Sequence, residues 1–268
     1  MMPSALMPPK TWKSLGVCIY CLQETKGLTR EHLIPEGLDG KWVLQGAVCE
    51  ACKRIVNPPE ALILRENLHT ARVALDIRGK HHKAKLARRG PRMPHKVALG
   101  RHGEDLVPGE YDYQPQPDEG LPVLTFVRFP PPSRLHGKKD AEHSIRAEFS
   151  HLGNKLRPLP HPSVGTREPM RIVEFAYCLT KWAYSFAVAE LGLECCDTAD
   201  IRDLLLNWRG DALRFAGDAE SRNGKGCPHL HWMSWRKERA LRIVTVRLFA
   251  STGIAPYEVV IGPLLASV

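Results

Sequence analysis

Apolar residues recur at helical spacing in two long stretches of the chain and cluster at strand spacing in four shorter ones. In PPEALILRENLHTARVALDI, Ala61, Leu64, Leu68, Ala71 and Leu75 fall three and four residues apart, which predicts a helix over about 58–77. Asn57 can serve as its N-cap, Pro58 suits the first helical position, and Glu60 stands where a capping-box acid reaches back. The second stretch, EPMRIVEFAYCLTKWAYSFAVAEL (168–191), is apolar almost all round, as a buried central helix is. TADIRDLLLNWR (198–209) predicts a shorter helix capped by Thr198. VLTFVRF (123–129) reads as a strand, and HLHWMSW, ALRIVTVRLFA and YEVVIGPL read as three more, in an antiparallel meander.

Between these elements the pattern breaks in ways that suggest a division of the chain. Residues 1–13 read as a flexible tail. Residues 14–102 hold two Cys pairs, the first helix and a basic arm. Residues 103–122, rich in Gly, Pro and acids, read as a linker. Residues 123–268 read as an accessory α+β domain, although 130–167 is irregular, with a short helix expected near 140–150. The fold class expected is α+β: a small metal-stapled module, then a long buried helix packed on an antiparallel sheet.

Charge changes this picture in one segment. The formal net charge is +9, and IRGKHHKAKLARRGPRMPHK (77–96) holds eight Lys or Arg, three His and no acid. Such a run suits a polyphosphate partner, because each neutralised phosphate releases counterions, or else it is a solvated loop. Lys83, Lys85, Arg88 and Arg89 are the candidate phosphate contacts within it. It lacks the interleaved bulky aromatics of a membrane-surface segment. No run of about eighteen apolar residues marks a transmembrane span, and no apolar stretch near the start marks a secretory signal. A cytoplasmic location is expected, where cysteines serve as metal ligands or buried thiols rather than disulfides.

Four of the eight cysteines form two C-x2-C pairs, Cys18/Cys21 and Cys49/Cys52, with 27 residues between the pairs. Four thiolates from two knuckles match the tetrahedral demand of a structural zinc, and a segment this small needs a staple. Cys178 reads as a buried thiol, and Cys195 and Cys196 suggest no role. Cys227, His229 and His231 could hold a metal but lack a partner pair.

The loop between the pairs carries REHLIPEGLDG, which sets Glu31 and His32 side by side. With CIYC before it and VCEAC after it, this segment resembles the zinc-containing branch of the HNH (His-Asn-His) endonucleases, over about residues 18–76. The resemblance implies a ββα-metal fold and metal-dependent hydrolysis of phosphodiesters, in DNA ahead of RNA. It implies that His32 is the general base, and that Glu31 ligates a catalytic Mg2+ or other divalent ion. The four cysteines would hold a structural zinc remote from the chemistry. A histidine and a hard cation together meet the needs of phosphodiester cleavage.

The pattern departs after the fourth cysteine, where the family usually has Asn or His and this chain has Lys53, which donates hydrogen bonds and cannot ligate a cation. Lys53 and Arg54 could instead hold a phosphate. Asn57 and Glu60 are the nearest substitutes for the missing ligand, each with a capping role as its alternative. Two other readings stand beside the nuclease. One is a non-catalytic zinc module that binds nucleic acid. The other is a zinc-stapled interaction scaffold.

Overall fold

The computed structural model describes residues 8–74, 77, 97–100, 107–108, 123–140, 144, 146–151, 163–166, 171–208, 210–220 and 229–265. In chain order the first strands are β1 (Lys10–Trp12), β2 (Thr29–His32) and β3 (Trp42–Val48), followed by helices α1 (Glu50–Arg65) and α2 (His69–Ala74). Next come β4 (Val97–Gly100), β5 (Val107–Pro108), β6 (Val123–Arg128), β7 (Arg146–His151) and β8 (Ser163–Thr166). The chain continues with α3 (Ile172–Leu191), α4 (Ala199–Asn207), β9 (Ala216–Asp218), β10 (Trp232–Glu238), β11 (Leu241–Arg247) and β12 (Tyr257–Pro263). The fold is mixed α+β. Among the described residues, no helix is long and apolar enough to cross a membrane.

β2 and β3 form an antiparallel pair, and β1 adds to the far edge of β3 in parallel. The pair carries an irregularity between Thr29 and Glu31. Gly46 sits opposite this irregularity with φ +51°, between the buried Leu44 and the buried pair Ala47 and Val48. Two steps along β2, from Glu31 to Thr29, match four along β3, from Leu44 to Val48, so β3 bulges there with two extra residues. Gly46 is needed twice over, because a Cβ there would also lie 2.6 Å from Ser14 Oγ. In the second half, β10, β11, β12 and β9 make the expected antiparallel meander with one further strand, and α3 packs on it.

Several expectations are corrected. Residues 10–12 are not a loose tail: they form β1, and Trp42 Nε1 donates to Pro8 O at 3.0 Å. The first helix begins at Glu50, not Pro58. Its N-cap is Cys49, whose Sγ accepts the Cys52 amide at 3.4 Å. Pro58 and Pro59 therefore lie inside α1. The helix tolerates them because the carbonyls that lose partners belong to Arg54 and Ile55, which are exposed and open to water. Its buried stripe is Cys52, Val56, Pro59 and Ile63 rather than one built on Ala61. The helix breaks at 66–68 before α2 and does not run on to Ile77. Asn57 and Glu60 sit in mid-helix, so neither is a capping residue. Residues 146–151 are not helical but form β7, paired with β6. The basic run beyond Ile77, with Lys83, Lys85, Arg88 and Arg89, lies outside the described residues, as do Cys227 and most of the expected linker.

The cysteine module and the C-terminal half share one buried core. Trp42 of β3 stacks on Phe186 of α3 at 5.6 Å and meets Trp232 of β10 edge-on at 5.6 Å. The Tyr184 hydroxyl of α3 donates to the carbonyl of Ile19, inside the first cysteine knuckle. Aromatic pairs at such distances add to the apolar burial that holds the halves together.

His231 is a polar link between the halves. It is buried, its Nε2 donates to Leu38 O at 2.8 Å, and its Nδ1 accepts the Phe249 amide at 3.3 Å. Only the neutral tautomer satisfies both bonds, since a proton on Nδ1 would point at another N–H. Burial accordingly pushes its pKa down to about 4. A histidine with a lowered folded pKa favours folding above its ordinary value near 6.5 and loses that contribution as pH falls. The drop to about 4 corresponds to about 3 kcal/mol, lost between about pH 6.5 and pH 4. Urea unfolding across that range should show this decline in wild type and a flatter profile in His231→Gln. Parallel profiles would remove His231 from the cause.

Candidate functional site

The four cysteines converge because the knuckle at 18–21 hangs from β3 and Cys49 and Cys52 begin α1. Ile19 N donates to Ala47 O at 2.8 Å, Leu22 N to Cys18 O at 2.8 Å, and Cys18 N to Gln23 O at 3.0 Å. Their Sγ atoms all lie within 4.8 Å of one another, and Cys21 Sγ and Cys49 Sγ are 3.9 Å apart. Four sulfurs about 2.3 Å from a tetrahedral zinc stand about 3.8 Å from each other. The cluster can therefore hold one metal ion and fits zinc. It is the only such group of His, Cys, Asp or Glu among the described residues. His231 is engaged elsewhere, and His229 stacks on Trp232 at 5.4 Å.

Beside the module, where the hairpin of β2 and β3 meets α1, lies a cleft of about 380 Å³. Its lining includes Arg30, Glu31, His32, Lys53, Asn57, Glu60 and Lys181. The loop after β2 closes one side. It turns through a 3-10 segment at Glu36–Leu38 and returns at Gly40, whose amide donates to Pro35 O at 3.1 Å. A Cβ at Gly40 would lie 1.9 Å from Ile34 O, so only glycine permits this return. Arg72 of α2 braces the loop from outside, with Nε donating to Gly37 O at 2.8 Å and Nη1 to Leu64 O at 2.8 Å.

Glu31 and Glu60 face each other across the ammonium of Lys181. Lys181 Nζ is 3.1 Å from Glu31 Oε1, 2.7 Å from Glu60 Oε2 and 3.1 Å from Asn57 Oδ1. Trp182 Nε1 donates to the same Glu60 oxygen at 2.9 Å. Tyr20 OH donates to Glu31 Oε1 at 3.0 Å, and the Ser185 hydroxyl lies 3.1 Å from Tyr20 OH. Burial pushes the Glu31 carboxyl above its usual range, and Glu60 adds to this while Lys181 opposes it. Burial alone would lower the Lys181 pKa, but the two carboxylates override it and keep the amine charged.

His32 stands at the end of β2. Both ring nitrogens are out of contact with solvent, and neither has a hydrogen-bond partner within the described residues. Burial lowers its pKa, with Glu36 opposing, so the imidazole is neutral at pH 7. Lys53 and Arg54 are exposed on the first turns of α1 and reach toward Glu50, at 3.5 and 3.9 Å.

Of the residues picked from sequence, Glu31, His32, Lys53, Asn57 and Glu60 thus line one cleft, and Arg54 is not part of that lining. Lys181, Trp182, Tyr20, Ser185 and the true partner of Asn57 were missed. One signal pointed to Lys181: it is the single charge in the buried run 175–188 of α3, and a buried charge requires partners.

The resemblance implies a divalent ion at Glu31, with Glu60 a candidate substitute for the missing ligand. The donor set as it stands does not fit one. The ammonium takes an oxygen of each carboxylate and the Asn57 carbonyl, and Lys53 replaces the usual ligand after Cys52. No family model, no curated protein and no solved structure matches the chain.

Proposed function

We propose that the chain is an HNH-type endonuclease that hydrolyses phosphodiester bonds of nucleic acid, with DNA ahead of RNA, and that His32 is its general base. One observation carries this reading: a neutral histidine with no hydrogen-bond partner among the described residues lines the same cleft as the buried Glu31 and the half-buried Glu60, at a hairpin–helix corner braced by a four-cysteine cluster. A neutral imidazole can take a proton from an attacking water, and in this reading substrate binding must open the cleft to bring that water to the ring nitrogens, which are closed off from solvent here. Arg30 and Lys53 at the cleft can meet the phosphate, the guanidinium through two N–H bonds and the ammonium as a point charge. The Mg2+ that the resemblance implies has no step in this reading, because Lys181 holds both carboxylates.

Nicking of supercoiled plasmid tests the proposal, with wild type and His32→Ala compared in Mg2+, in Mn2+ and in chelator. His32→Ala should lower cleavage by about 10²–10⁴-fold. Its zinc content and unfolding curve should match wild type, since His32 holds neither the cysteines nor the core. Cleavage that survives His32→Ala rejects the mechanism.

The second reading, a zinc module that binds nucleic acid without cutting it, is favoured by Lys181, whose ammonium hydrogen-bonds Glu60 and Asn57 and pairs with Glu31 in the place of a metal ion. It predicts salt-sensitive binding to DNA or RNA with no cleavage under any of these conditions.

A further inference from the structure

We infer that Lys181 is the resident cation of the Glu31–Glu60 pair, and that the pair takes no divalent ion while Lys181 is in place. Three oxygens from two elements surround the ammonium: it donates to Glu60 Oε2 and Asn57 Oδ1 of α1 and pairs with Glu31 Oε1 of β2 at 3.1 Å. The Lys181 side chain is 2 % exposed. It rises from the middle of α3, where every residue from Phe175 to Val188 is buried. Although Lys181 borders the cleft, its stem is enclosed by a buried helix and its amine is held by three oxygens, so it does not step aside for a second cation as a surface lysine could.

A divalent ion would need carboxylate oxygens at about 2.0–2.2 Å. That would bring it against Nζ, which already lies within 3.1 Å of both carboxylates. Two positive charges at such a distance in a buried site repel strongly. The two cations also differ in chemistry. An ammonium neutralises charge and directs hydrogen bonds, but it does not acidify a bound water as a metal does. The oxygens around Nζ are nonetheless the hard donors that Mg2+ or Mn2+ prefers. The arrangement is a divalent-ion site filled by the protein itself. The inference concerns what the carboxylates hold, and it stands whether or not the chain cleaves nucleic acid.

Mn2+ binding to the full chain, read from free Mn2+ by electron paramagnetic resonance without substrate, tests it. Wild type should show no binding up to about 1 mM that Glu60→Gln abolishes. Lys181→Met should gain one Mn2+ per chain, bound about tenfold or more tighter than any wild-type site. That gain should vanish in Lys181→Met with Glu60→Gln. The zinc cluster does not interfere, since Mn2+ does not displace zinc from four thiolates. A wild-type Mn2+ site lost in Glu31→Gln or Glu60→Gln overturns the inference, and that comparison holds even if Lys181→Met does not fold. A folded Lys181→Met that gains no Mn2+ overturns it as well. Because no cleavage is measured, a failure here is distinct from a failure of the nuclease reading.

Discussion

Cys49→Ser should strip the chain of its zinc and destabilise far more than the cysteine module. A serine in this position can still cap α1, because its hydroxyl can accept the Cys52 amide as the sulfur does. What is lost is one of four thiolates. Zinc binding to such a cluster contributes about 10 kcal/mol or more of folding free energy. A whole domain is stable by only about 5–15 kcal/mol. The loss should spread through contacts that tie the knuckle to the rest. Cys18, Ile19 and Tyr20 are fully buried, Tyr184 of α3 donates to the Ile19 carbonyl, and Tyr20 reaches Glu31 and Ser185. Metal analysis should find about one zinc per chain in wild type and little in the variant. Thermal unfolding should begin about 10 °C or more lower. Full zinc retention, or a lost zinc with unchanged melting, would count against the cluster as the staple of this core.

Removing the charge at Lys181 should be the next largest effect. Lys181→Met leaves Glu31 and Glu60 facing each other with no ammonium between them. Breaking a buried ion cluster from one side costs about 3–5 kcal/mol, because the remaining charges stay desolvated. Neutralising the acids as well, in Lys181→Met with Glu31→Gln and Glu60→Gln, should recover most of that loss. The Trp182 and Tyr20 donors then meet amide oxygens in place of carboxylates. Urea unfolding of the single and triple variants measures both steps. If the triple variant is no more stable than the single one, the deficit comes from lost packing of the lysine stem and not from charge.

The two predictions rest on residues of very different legibility. The cysteine cluster could be read from spacing, because C-x2-C fixes two sulfurs near one point and two such pairs leave few alternatives. The long helix α3 and the antiparallel meander were legible for a related reason: their apolar positions follow a period, and period is a local property. The first helix was misplaced by the same kind of argument. Asn57 followed by two prolines is a good local start signal, but the cap that operates is Cys49, eight residues earlier. The prolines survive inside because the residues whose carbonyls they free, Arg54 and Ile55, lie on the exposed side of the helix. Residues 146–151 likewise gave no strong strand pattern, and they are strand because β6 lies beside them.

Sequence alone determined the donors of the metal cluster, the pairing of Glu31 with His32 and the apolar surfaces that must be buried. These depend on residue type and on separations of a few positions along the chain. The tertiary structure decided what Glu31 and Glu60 hold. Lys181 lies 150 residues from Glu31 and 121 from Glu60, and it reaches them because α3 packs against α1 in a single core. No local rule places a lysine between two acids that far away. Burial does so, since a charge forced into an apolar helix is stable only where opposite charges are brought to meet it.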